Sequence, residues 1–158
     1  MDPESVDPQS VDPESAETES GMTAEAPKLE ALSSEDCHRL LGDGGVGRLA
    51  FPGKEWPVLR PVNFLLVEPR VVIRTGEGAI LEAGRRGLPA SFEIDGIDPL
   101  EHTGWSVLAT GRLQEIPAQW SDPSVPLRAW GSGLKDRFVA LELQDVTGLR
   151  IPSGRGNR

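Results

Sequence analysis

The chain has 158 residues, with 25 Asp or Glu against 16 Lys or Arg, two His and a single Cys. That length accommodates one globular domain with a real core, and one cysteine excludes an intramolecular disulfide or a cysteine-based metal cluster; two imidazoles give no basis for a histidine metal site. The formal net charge of −9 sits at the N-terminus, where residues 1–31 hold nine acids and one lysine and leave the remainder near neutral, without the basic face that a nucleic-acid or anionic membrane surface requires.

The chain opens M-D-P-E-S-V-D-P-Q-S-V-D-P-E-S, three copies of a five-residue unit, and continues with Glu, Thr, Ser and Gly. Such a segment cannot bury enough apolar surface to offset its ordering entropy, so residues 1–27 are expected to be a disordered acidic tail. A folded domain is expected over residues 32–151, followed by a flexible end over residues 152–158. No apolar run reaches a membrane-spanning length, and the acidic N-terminus has neither the basic region nor the apolar core of a secretory leader. A cytoplasmic protein is the expectation.

Ser33 and Asp36 form a capping box for a first helix, and Leu32 can staple to Cys37 across its first turn. Cys37, Leu40 and Leu41 share one helical face, which makes Cys37 a packing residue rather than a nucleophile. The segment G-D-G-G-V-G (Gly42 to Gly47) satisfies a dinucleotide-binding pattern, but it follows a helix and opens a strand, the reverse of the order that chemistry needs. It reads as the end of the helix and the turn into a strand, Val46 to Phe51.

After Trp56-Pro57 comes V-L-R-P-V-N-F-L-L-V, apolar almost throughout, which predicts burial on both faces or at a subunit contact. Pro61 cannot donate to a ladder and places this strand at an edge or a bulge. Asn63 beside it needs partners for both ends of its amide, which a flat heterocycle with carbonyl and N–H edges or a structural hydrogen bond can supply. Trp56, Phe64, Leu65 and Leu66 together predict more apolar surface than a small barrel covers alone, and hence a homodimer.

The segment from Val71 to Asp95 organises the rest. Val71, Val72, Ile73 and Thr75 suit a strand, Gly76 and Gly78 a close turn, and Ile80, Leu81 and Ala83 a short helix ending near Gly84 to Gly87. Arg74 can grip a phosphate as a charged fork beside the amides of that helix start. An ordinary strand-turn-helix connection with a solvated Arg fits the same residues. Arg85 and Arg86 read as a solvated helix end that complements the dipole.

The following strand turns Ala90, Phe92 and Ile94 inward and Ser91, Glu93 and Asp95 outward. A long strand is predicted over Trp105 to Ile116 with a bend or bulge at Gly111, then a connection from Pro117 to Leu134 carrying Trp120 and Trp130. A last strand over Arg137 to Leu143 leads into D-V-T-G-L-R-I. Six strands with antiparallel-compatible spacing predict a mainly β protein, a small closed or partly closed barrel with short helices.

In this order V-G-R-L-A-F, R-P-V-N-F-L, V-V-I-R-T-G-E-G, F-E-I-D, G-W-S-V-L-A-T-G-R and T-G-L-R-I resemble the pyridoxamine 5'-phosphate oxidase-like flavoproteins, specifically their small actinobacterial-type group. The resemblance covers Leu32 to Ile151. It implies an FMN-binding type of split β-barrel, a homodimer, and FMN or a deazaflavin in a groove between subunits. By the same resemblance Pro61, Val62 and Asn63 line the isoalloxazine ring, and Arg74 and Thr75 the ribityl phosphate side. Trp105 and Trp130 then form the groove wall.

Relatives that bind the flavin phosphate carry Gly, then Ser or Thr, then Lys, where this chain has Gly78, Ala79 and Ile80. The resemblance therefore implies an oxidoreductase acting on an unidentified small molecule, with no acid–base dyad evident in the sequence. It leaves open a non-catalytic flavin-, haem- or tetrapyrrole-binding barrel, or a structural dimer that has lost its cofactor.

Overall fold

The computed structural model describes residues 28–117 and 136–153. In chain order they form β1 (Glu30–Ala31), α1 (Ser34–Gly42), β2 (Gly45–Phe51), β3 (Val58–Val67), β4 (Arg70–Thr75), α2 (Ala79–Arg85), β5 (Pro89–Asp98), β6 (Thr103–Ile116) and β7 (Arg137–Ile151). The acidic repeat, the connection with Trp120 and Trp130, and the last residues lie outside the described ones.

Period-2 alternation decides which side chains fill the interior. On β2, Leu49 and Phe51 are buried while Arg48 is exposed; on β5, Ala90, Phe92 and Ile94 are buried while Glu93 and Asp95 reach out to Arg48 at 3.0 and 3.1 Å. The strands pair antiparallel in the order β7-β4-β3-β2-β5-β6, and β6 pairs back onto β7 to close a six-stranded barrel. β1 only extends the far end of β7, with Glu30 opposite Arg150. Closure of this kind leaves few free edges, so the place where pairing stops is informative.

That place is β3. It pairs with β2 along Val58 to Phe64, but with β4 only from Phe64 opposite Ile73 to Val67 opposite Arg70. β4 continues alongside β7 through Arg74 and Thr75, so the two strands splay and residues 58–63 have no neighbour on that side among the described residues. Pro61, which lacks an N–H, sits on this free edge, as its chemistry requires.

The two helices meet opposite ends of the β6–β7 pair. Ser33 caps α1 by accepting from the Asp36 amide at 3.1 Å, and Cys37 and Leu41 point into the core near Gly148. Burial pushes the Cys37 thiol above its ordinary value, consistent with packing. At the other end Leu81 and Ala83 of α2 enter the same core. Arg85 reaches Glu115 at 3.0 Å, and Glu115 also accepts from Arg137 at 2.6 Å. No helix among the described residues is long and apolar enough to cross a membrane.

Two expectations change. Phe64, counted as surplus apolar surface, is 1% exposed and packs edge-to-face on Phe92 with centroids 4.7 Å apart. Its strand is apolar on both sides because Leu65 faces outward into a second cluster around Val72, Ile116, Phe138 and Ala140. The last strand also runs on to Ile151 rather than ending at Leu143, because a register shift at Thr110/Gly111 skips Gln144 and lets pairing resume at Asp145. A side chain at Gly111 would strike the Glu142 carbonyl, which is why glycine marks the bulge.

Candidate functional site

The splay between β3 and β4 opens a cleft of about 430 Å³, within the range of small-molecule sites. One wall is the free edge of β3, with Pro61, Val62 and Asn63. The other is the end of β4, Arg74 and Thr75, followed by the turn through Gly78 into Ala79 and Ile80. Val46 belongs to the cleft because it is the register partner of Asn63. Eight of the ten predicted site residues are thus brought to one place by a single topological feature.

Local chemistry explains the shape. Gly78 takes φ +147°, a backbone conformation that side-chain-bearing residues rarely adopt, and starts α2 without a side-chain cap. The first turn therefore presents backbone and two small or apolar side chains, Ala79 and Ile80, and no hydroxyl or ammonium. Thr75 is half-buried and its hydroxyl donates to the Gly76 carbonyl at 3.3 Å. Among the lining residues the charged groups are Arg60, Arg74 and Glu77. Glu77 pairs with Arg85 at 3.4 Å, and Arg60 donates to the Leu59 carbonyl on the strand edge at 2.9 Å. Among the described residues the cleft carries more positive than negative charge and suits an anionic group at the Arg74 end.

Trp105 is elsewhere. It lies on β6 opposite Gly96, with its indole 2.7 to 2.9 Å from where a Cβ at Gly96 would be, and it lines a different cleft of about 910 Å³ beside α1. Trp130 lies outside the described residues. Sequence reasoning missed Val46, Arg60 and Glu77 as lining residues; only the β2–β3 register and the neighbourhood of Pro61 point to the first two.

The other reactive side chains among the described residues are not part of the cleft. His38 is bound through Nδ1 to the Ser34 carbonyl at 2.7 Å and lies 3.7 Å from Glu68. Among the described residues no group of three His, Cys, Asp or Glu is placed to hold a metal ion.

A family model described as pyridoxamine 5'-phosphate oxidase matches residues 33–150. The uncharacterized protein Rv0080 of Mycobacterium tuberculosis is 35% identical over 133 residues, spanning 80% of this chain and 88% of that one. Among solved structures, an FAD-binding protein of Mesorhizobium loti superposes with TM-score 0.65 at 20% identity, over 78% of this chain and 99% of its own. An FAD-binding protein of Mycobacterium smegmatis gives 0.59 at 23%, over 79% and 100%. At such identities the likeness shows the split-barrel fold alone. With a matching family model over most of its length and this barrel, the chain belongs to the pyridoxamine 5'-phosphate oxidase-like family.

Proposed function

We propose that the cleft between the free edge of β3 and Arg74 binds a flavin cofactor and that the protein is a flavin-dependent oxidoreductase acting on a small molecule, as a homodimer. The observation that carries this reading is the gathering of Pro61, Val62, Asn63 and Arg74 around one cleft, with a strand edge on one side and a guanidinium at the end. The fit rests on chemistry. An edge that lacks a partner strand offers backbone groups to the carbonyl and N–H rim of a flat heterocycle, and Asn63 supplies both a donor and an acceptor. Val46, Val62 and Ile80 offer apolar contact.

When bound, a flavin supplies hydride or electron transfer. The chain's own part is to hold it: Arg74 anchors the phosphate, and the β3 edge orients the ring. Ala79 and Ile80 remove the hydroxyl and ammonium that other family members use, so the Arg74 contact carries a larger share of phosphate binding. FMN, FAD and a deazaflavin share the tricyclic ring and the phosphate that this cleft addresses. Among the described residues the lining has no His, Cys or Met to ligate a haem iron.

The test is the visible spectrum of the purified full chain after saturation with each of these cofactors and removal of unbound ligand. At least one is retained. Arg74→Ala weakens it roughly tenfold to a hundredfold, the equivalent of losing one charged hydrogen bond. Retention of none overturns the reading. Turnover of reduced cofactor with candidate electron acceptors then separates catalysis from storage, and its absence with every acceptor assigns a binding role.

A further inference from the structure

A second cleft, of about 670 Å³, lies between α2 and the turn that joins β2 to β3. It has only Gly78 and Ala79 in common with the cleft at Arg74, and no part of the flavin reading draws on the rest. We propose that it is a separate binding site for a small apolar monocarboxylate.

The elements that meet here dictate the lining. Phe51 and Val58 are the last register pair of β2 and β3 before the turn, and with Leu88, which follows α2, they form an apolar floor. α2 contributes Ala79, Glu82, Ala83 and Arg86, whose i, i+3, i+4, i+7 spacing puts them along one face of the helix. Two of these four are alanines, so the helix face leaves room for a ligand instead of filling the space.

Charge selects the ligand. Lys54 on the turn and Arg86 at the C-cap of α2 line the cleft, and neither makes an ion pair among the described residues. Arg86 differs in this from Arg85, which Glu115 and Glu77 engage. Long cationic side chains lay their stems along apolar surface and keep the charge at the water's edge, where the carboxylate of a buried apolar body emerges. Among the described lining residues Glu82 is the one carboxylate, so two cations against one anion leave a single net positive charge. One anionic group balances it. A second carboxylate at the far end of the ligand would lie against Phe51, Val58 and Leu88, where an unpaired charge is costly, or beside Glu82, which repels it. A neutral ligand gains nothing from either cation.

The experiment titrates the full chain calorimetrically with octanoate, with octanamide, which has the same length and no charge, and with octanedioate, which adds a carboxylate at the far end. All three titrations are repeated on Lys54→Ala/Arg86→Ala; both side chains are exposed, and an unchanged thermal midpoint reports an intact fold. Octanoate is expected to bind the wild type at least tenfold more tightly than either comparator, the scale of one charged hydrogen bond. The double substitution is expected to lower octanoate affinity about tenfold and leave octanamide unchanged, so that the two converge. Octanoate that binds the wild type no better than octanamide or octanedioate overturns the assignment. So does a folded variant that keeps full octanoate affinity, or a wild type that binds none of the three.

Discussion

At the scale of single residues, the barrel depends on a close approach at Gly47. Phe92 of the adjacent strand lies over it, so a Cβ there would overlap the phenyl ring and come within 2.9 Å of the Glu93 carbonyl. Phe92 cannot yield easily because its other side meets Phe64 edge-to-face in a fully buried core. Gly47→Ala is therefore expected to destabilise the fold by about 2 kcal/mol, the usual scale of overpacking, seen as a lower urea midpoint at unchanged slope. Adding Phe92→Leu should return part of that loss, since the two sites are in contact and their effects are coupled. Purely additive losses would show that the ring is not the obstacle. None of this was legible in the sequence, where Gly47 reads only as the last glycine of G-D-G-G-V-G at the start of the strand Val46 to Phe51. By contrast Ser33, Asp36 and Cys37 were legible, because a cap and a helical face are local patterns that the chain carries whatever surrounds it.

At the scale of elements, α2 is held to the barrel end by Glu115, which accepts from Arg137 on β7 and from Arg85 on the helix. These two guanidiniums, Arg137 first, hold its carboxyl below the ordinary 4.5. The folded chain therefore gives up the Glu115 proton more readily than the unfolded one. The stabilisation is complete above that ordinary value and is lost as the pH falls through the folded one. Melting curves should accordingly show the wild type losing stability more steeply than Glu115→Gln as the pH falls below the ordinary 4.5, with the variant the less stable of the two at neutral pH. Parallel pH profiles would remove Glu115 from the account.

This element also shows how far the site could be read in advance. Arg74, Gly78 and Ile80 follow one another along the chain, and Pro61 announced a free edge, so the cleft's two walls were visible. What was not visible was register. Trp105 stands against Gly96 because of how β5 pairs with β6, and that pairing puts it in the cleft beside α1. Phe64 opens the apolar run to Val67, which has no alternation to reveal its parity, and the bulge at Gln144 hides the continuation of β7 behind a polar pair.

At the scale of the whole molecule, the free edge of β3 raises the question of what covers it. Trp56, just before the stretch of β3 that β4 leaves bare, is 78% exposed, and Leu59 on that stretch is 58% exposed. An unpaired edge flanked by large apolar side chains is a template for association, tempered here by Pro61 and Arg60 on the strand itself. A second copy of the chain is the occupant that the homodimer proposal requires. Neither Trp56 nor Leu59 lines the cleft that holds Arg74, so substituting them tests association without touching that lining. Light scattering on the wild type should give twice the chain mass, and Trp56→Glu/Leu59→Glu the mass of one chain. If the second copy supplies the other wall of a groove between subunits, the dissociated variant should also lose its flavin in proportion to the dimer lost. A wild type that runs as a monomer ends the dimer proposal. A variant that dissociates yet retains cofactor at full affinity places the entire binding site within one barrel, between the β3 edge and Arg74.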